Sequence, residues 1–289
     1  MHKNRYTAFV FVAPILIFFF VFLLYPLLYT FHISFYEWNG IDPIKKFIGF
    51  DNYKSMFYDP LFYQSLRNFL VLCVLVITIQ MLLGFLLAYI MRRNSKLFTV
   101  FKTIIFIPVI LTAIVVSNIF NNILAFNDGL INTILRNIGL DQLAMSWTAN
   151  PNIALFSVIA VVIWMGTGFS MSVYVSAMTS LSLEVIEASR IDGANRVQTI
   201  TRVVWPMLRD THFSLTIISV ISALKIFDIV YLLTRGGPMH STEMLSTYMF
   251  TRTFDSYEQG FGSAIGSFLI VLAVVITIIQ MRLSRNIQN

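Results

Sequence analysis

Apolar residues fall in long runs separated by short polar stretches, and that spacing sets the class of the chain. As helix, about 20 consecutive apolar residues cross a hydrocarbon core of ~30 Å. Six runs qualify: 8–31, 66–91, 101–125, 153–178, 211–233 and 262–283. They predict an all-α, polytopic membrane protein with six transmembrane helices. The first run is too long for a secretory leader and no small-residue cleavage site follows it, so it is expected to stay as an anchor. Pro14, Pro26 and Pro108 are expected to bend their helices, with neighbouring helices satisfying the freed carbonyls.

Composition sharpens this picture. Of 289 residues, 57% are hydrophobic and 12% charged, more apolar surface than a water-soluble domain of this size can hide. The single cysteine, Cys73, lies inside a run, so no disulfide framework is expected. The net charge of +6 is distributed as an orientation signal rather than as a nucleic-acid footprint. With the N-terminus inside, twelve cations fall on the cytoplasmic side: Lys3, Arg5, Arg92, Arg93, Lys96, Lys102, Arg190, Arg196, Arg202, Arg209, Arg282 and Arg285. Seven (Lys45, Lys46, Lys54, Arg67, Arg136, Arg235 and Arg252) fall outside, and Lys225 lies within a span. Both termini are therefore expected in the cytoplasm, in a cell membrane. We expect one transmembrane domain over 1–289, with its core at about 66–283 and no appended soluble domain. No G-x-x-x-x-G-K-[ST] occurs, so the chain is expected to hold no ATP, cofactor or metal of its own; His2, His32, His212 and His240 lack ligand spacing.

One polar stretch, 182–206, stands apart. "EASRIDGANRVQTITRVVWP" carries Glu187, Arg190, Asp192, Arg196 and Arg202, flanked by Glu184 and Arg209. Ser182 is placed to cap a helix whose first turns hold Glu184 and Glu187, where the helix dipole favours carboxylates. Gly193 permits a left-handed turn. Asn195 is placed to cap a second helix running to about Val204, ended by Pro206. An interfacial connector is the ordinary reading of such a loop. Small residues Ala188, Gly193 and Ala194 set among acids instead suit close approach to another protein's basic groups.

Glu187-Ala188-Ser189, then Gly193, then Pro206 resemble the EAA loop of ABC importer membrane subunits: Glu-Ala-Ala, three residues, Gly, nine residues, Ile, any residue, Leu-Pro. The departures are Ser189, Val203 and Trp205, and Ser182 where sugar permeases usually carry Pro. "APILIFFFVFLLYPLLYTFHISFYEWNG" and "FDIVYLLTRGGPMHSTEMLSTYMF" are similar to carbohydrate-type permeases of the maltose, multiple-sugar and glycerol-phosphate class, the first of two paired permeases. The resemblance implies the ABC importer type I permease fold and import of a mono- or oligosaccharide. It implies a second homologous permease, an ATPase dimer that binds ATP and Mg, and an extracellular solute-binding protein. It assigns Glu184, Glu187, Ala188, Ser189, Asp192, Gly193 and Ala194 to ATPase coupling.

A pathway for hydroxylated ligands needs hydrogen-bonding groups and flat apolar faces on cavity-facing helices. Asn118, Asn121 and Asn122 in the third run are costly against lipid. Trp164, Met165, Gly166 and Phe169 in the fourth run, and Ser219, Ser222, Ala223 and Ile226 in the fifth, complete the candidates. By the resemblance, Gly166, Phe169, Ser219, Ala223 and Ile226 align with sugar-contacting positions. Helix packing is an equal reading of the serines and glycines, and Gly262 and Gly266 read as packing outright. Lys225 and Asp228 are expected to pair at i,i+3 on one helix face. A carrier or channel working without ATP would need more buried carboxylates, and a membrane enzyme would need a polar cluster that the chain lacks.

Overall fold

The computed structural model describes residues 3–92 and 95–288, with only the backbone for 3–9, 183, 190 and 283–288. His2 and Arg93, and the side chains of Lys3, Arg5, Arg190 and Arg285, lie outside the described residues.

In chain order the main elements are α1 (Val10–Ile33), a short antiparallel pair β1 (Tyr36–Glu37) and β2 (Lys46–Phe47), and α2 (Pro60–Ile90). There follow α3 (Lys96–Ile110), α4 (Ala113–Ile123), α5 (Ala154–Thr179), α6 (Leu183–Ile191), α7 (Arg209–Leu224), α8 (Asp228–Thr234) and α9 (Gln259–Arg282). Among the described residues α1, α2, α5 and α9 are each long and apolar enough to cross a membrane; α3 with α4 and α7 with α8 bring the number to six if each bent pair is one span.

These pairs correct two expectations. The 101–125 run is not one straight span: α3 and α4 meet at 101°. The chain leaves the helix at Leu111 (ψ 140°) and stays extended at Thr112, just beyond the turn that contains Pro108. In the fifth run, α7 and α8 are bent by 49° around 225–227. Lys225 ends one helix and Asp228 begins the next, both exposed, with no ion pair between them among the described residues. The expected i,i+3 pair is thus replaced by a break. Asp228 sits in a first turn, where a carboxylate suits the dipole. The Ser246 hydroxyl donates to the Ile226 carbonyl that the break frees.

Two prolines are accommodated by widened turns. Pro26 and Pro206 each follow a π-helical segment, Phe20–Leu24 and Thr199–Val204. A π turn displaces the carbonyl that the ring would otherwise strike. Pro206 therefore sits near the start of a short helix, Trp205–Met207, instead of ending the previous one; the break falls at Leu208.

The chain divides into two compact units, Met1–Tyr63 with Tyr248–Val274, and Gln64–Thr247 with Val275–Asn289. In the first, Asn52 Nδ2 donates to the Ser34 and Tyr36 carbonyls at 2.8 and 2.9 Å, and Gly260 N–H donates to the Trp38 carbonyl at 3.0 Å. A Cβ at Gly260 would lie 1.9 Å from the Tyr36 oxygen, so this close approach requires glycine. Gly262 and Gly266 pack on Thr253 and Met249.

The same unit holds a polar knot. Asp59 accepts from Tyr248 Oη at 2.5 Å, Arg252 at 2.8 Å and the Leu61 N–H at 2.9 Å, while Arg252 also reaches Glu258 at 3.1 Å. Burial by itself would raise the Asp59 carboxyl, but the hydrogen bonds from Tyr248 and Leu61 and the Arg252 charge outweigh it and hold the group below its ordinary 3.8. A depressed carboxyl adds stability that is present above the ordinary value and lost as pH falls through the folded one. Lowering the pH from about 5 to 3 should therefore lower the melting temperature of wild type more than that of Asp59→Asn. Parallel curves would show that the knot is not the acid-sensitive element.

The second unit is organised around α5, which lies against α2 and α3. Gly84 of α2 meets Ser170, where a Cβ would fall 2.6 Å from the serine Cβ, and Gly168 of α5 meets the α3 backbone. Met81, Phe85, Tyr89, Met171, Tyr174, Ile186, Val204 and Leu215 form one buried cluster linking α2, α5, α6 and α7.

Candidate functional site

Two features of the second unit gather the candidate residues. The first is α6. It starts one residue after Ser182 and ends in the left-handed turn at Gly193 (φ +85°), where Ala194 N–H donates to the Ser189 carbonyl at 3.0 Å. Asn195 then opens the next helix with a reciprocal cap: its side chain accepts from Gln198 N–H at 2.9 Å, and Gln198 accepts from Asn195 N–H at 2.8 Å.

The face of α6 is set by helix geometry. Ile186 is buried in the cluster. Glu184, Glu187, Ala188 and Ile191 stand at i, i+3, i+4 and i+7, hence on one stripe, and all are exposed, Ile191 to 86%. Among the described residues Glu184, Glu187 and Asp192 form no ion pair. Ser189 turns its hydroxyl onto the Ile186 carbonyl at 2.8 Å. Ala194 borders a cleft with Tyr89, Arg92 and Arg196.

The loop is tied to the bundle through His212. The Trp205 carbonyl can only accept, so the bond of 2.9 Å fixes the proton on Nε2, and Nδ1 accepts from Tyr174 Oη at 2.6 Å. The ring also lies on Trp205, centroids 4.1 Å apart. One imidazole thus joins the end of the charged loop, α7 and α5. His212→Phe should fill the space but strand a carbonyl and a hydroxyl, costing about 1–3 kcal/mol and lowering the melting temperature; Tyr174→Phe, which strands only Nδ1, should cost less. Equal stability of all three proteins would refute this account.

The second feature is a cavity of about 330 Å³ among α2, α3, α5, α7 and α8. Of the predicted pathway residues, Met165, Gly166, Phe169, Ser219, Ser222, Ala223 and Ile226 line it. Asn118, Asn121, Asn122 and Trp164 do not. The bend between α3 and α4 places the three asparagines on exposed positions of α4, where Asn122 Nδ2 donates to the Asn118 carbonyl at 2.8 Å, and Trp164 packs against Phe120. Two polar lining residues, Gln80 and Ser170, went unread in the sequence. Gln80, 7% exposed, donates to Ser170 Oγ at 2.9 Å across the cavity wall. A lone amide in an apolar run, expensive against lipid, was the available signal.

Residues 80–289 match the model of the family described as "Binding-protein-dependent transport system inner membrane component". The chain belongs to this family. Among its relatives, the probable ABC transporter permease protein YurN of Bacillus subtilis is 31% identical over 98% of this chain and 97% of its own. The multiple sugar-binding transport system permease protein MsmF of Streptococcus mutans is 30% identical over 99% and 97%. A chain of the crystal structure of a bacterial ABC transporter that imports the acidic polysaccharide alginate superimposes with a TM-score of 0.86, at 26% identity over 99% of this permease and 98% of that chain. In the complex with an alginate pentasaccharide-bound periplasmic protein the TM-score is 0.85, at 25% identity over 99% and 96%. The all-α importer-permease fold and a membrane location follow.

Proposed function

We propose that this permease is one of two paired membrane subunits of an ATP-driven, binding-protein-dependent sugar importer. It forms half of the pathway and performs no catalysis. ATP and Mg are bound by a partner ATPase dimer, and an extracellular solute-binding protein delivers the saccharide. The relatives named for sugar transport and the binding-protein complex of the alginate importer support these partners. The cationic bias of the loops supports cytoplasmic termini.

The observation that carries the coupling role is the exposed stripe of α6. An isoleucine 86% exposed, beside two carboxylates and an alanine on one face, suits a helix laid in a protein groove. Glu187, with Glu184 and Asp192, offers charge-assisted bonds to basic groups there, while Ala188, Ser189, Gly193 and Ala194 allow close approach. Closure of the ATPase dimer would carry α6 with it, and through Ile186 and His212 would bias α5 and α7 between two states. Cysteine placed at Ala188 should cross-link to the ATPase in intact membranes. Cross-linking to no nucleotide hydrolase, or labelling of that cysteine from the cell exterior, would overturn the reading.

A further inference from the structure

Among the described residues the cavity wall contains hydrogen-bonding groups but no ionisable side chain: Gln80, Ser170, Ser219 and Ser222 are its polar members, among Leu72, Val76 and other apolar residues. A carboxylate brought against such a wall would lose its water without gaining a counter-charge from this chain, a large cost. A hydroxyl loses far less and needs one acceptor or donor.

Gln80 is placed to supply it. The π turn Val76–Gln80 shifts the register of α2, and such turns recur at functional sites. Ser170 holds Nε2 at 2.9 Å. Oε1 lies over Gly166, where an added Cβ would sit 2.3 Å away, so the glycine makes room for the amide. Among the described residues none donates to Oε1. The amide is therefore oriented, buried and left with a free acceptor at a cavity.

We propose that Gln80 is a specificity-determining residue of this half of the pathway, accepting a hydroxyl of an uncharged saccharide through Oε1, and that the wall rejects acidic sugars. The proposal rests on the sugar-import reading above and narrows its substrate class. It separates this permease from the alginate importer that shares its fold, whose substrate is acidic.

The test uses the whole importer, with its ATPase and binding protein, in proteoliposomes. Uptake is measured for neutral di- and trisaccharides (maltose, lactose, raffinose) and for trigalacturonate. Gln80→Met keeps the volume and removes the acceptor, and should raise the KM for the best neutral sugar about tenfold with kcat and assembly little changed, the effect of one lost hydrogen bond of about 1.4 kcal/mol. Ser170→Ala, which only frees the amide, should raise it about threefold. An unchanged KM in Gln80→Met, with or without a lower melting temperature, makes the amide merely structural and overturns the proposal. Uptake of trigalacturonate at parity with neutral sugars overturns the charge argument while leaving sugar import standing. Uptake of no saccharide by the wild-type complex defeats the sugar reading itself.

Discussion

Gly193→Val is expected to abolish transport while the subunit still inserts and assembles. The glycine sits at φ +85°, the left-handed region, and a Cβ there would meet nothing within 4 Å. Space is not the obstacle. The cost is in the backbone, about 1–2 kcal/mol for an L-residue and higher for a branched one. The loop sheds that cost by turning out of the left-handed well, which breaks the bond from Ala194 N–H to the Ser189 carbonyl and re-aims α6 relative to the helix that Asn195 caps. The buried cluster below is untouched, so folded yield should hold. ATPase activity in the assembled importer should continue but no longer respond to substrate, with uptake reduced at least tenfold. Gly193→Asn, which tolerates the left-handed well, should retain most uptake. Coupled transport at wild-type rate in the valine variant would sink the assignment of α6 as the coupling element.

Gly168→Leu is expected to remove most of the folded protein from the membrane. Here the obstacle is space. A Cβ would lie 2.3 Å from the Ile105 carbonyl oxygen and 3.0 Å from the Phe106 Cα, both backbone atoms of α3 that no rotamer change can move aside. Two helices that touch through backbone must separate, and overpacking of this kind costs about 1–3 kcal/mol, more where backbone is struck. The expected readout is a several-fold fall in membrane-inserted, monodisperse permease in detergent. Gly168→Ala should show an intermediate loss. Wild-type yield from the leucine variant would mean that α3 and α5 are not held at this distance.

The features legible in the sequence share one property, namely that they are decided within a few residues or by bulk hydropathy. A run of twenty apolar residues is long enough to cross a bilayer whatever it packs against. The left-handed turn at Gly193 and the cap at Asn195 are local backbone chemistry, and they stand where the sequence placed them. Which face of α6 is exposed was settled by packing: Ile186 is buried in the cluster while Ile191 stands 86% exposed. Hydropathy, in contrast, is blind to direction. It joined 101–125 into one span although the chain turns by 101° inside it, and it grouped three asparagines with residues lining a cavity that α4 does not border. It also put Lys225 and Asp228 on one helix that breaks between them.

Sequence by itself determined that this is a helical membrane protein with a glycine-hinged, acid-bearing helix, because local propensity and transfer free energy suffice for both. Only the tertiary structure decided which polar groups share a cavity. Gln80 and Ser170 stand ninety residues apart in the chain and meet because Gly84 and Gly168 let α2, α3 and α5 approach at backbone distance and Gly166 leaves room for the amide. His212 bridges the loop to α5 for a similar reason: its partners are chosen by packing, which no local pattern encodes.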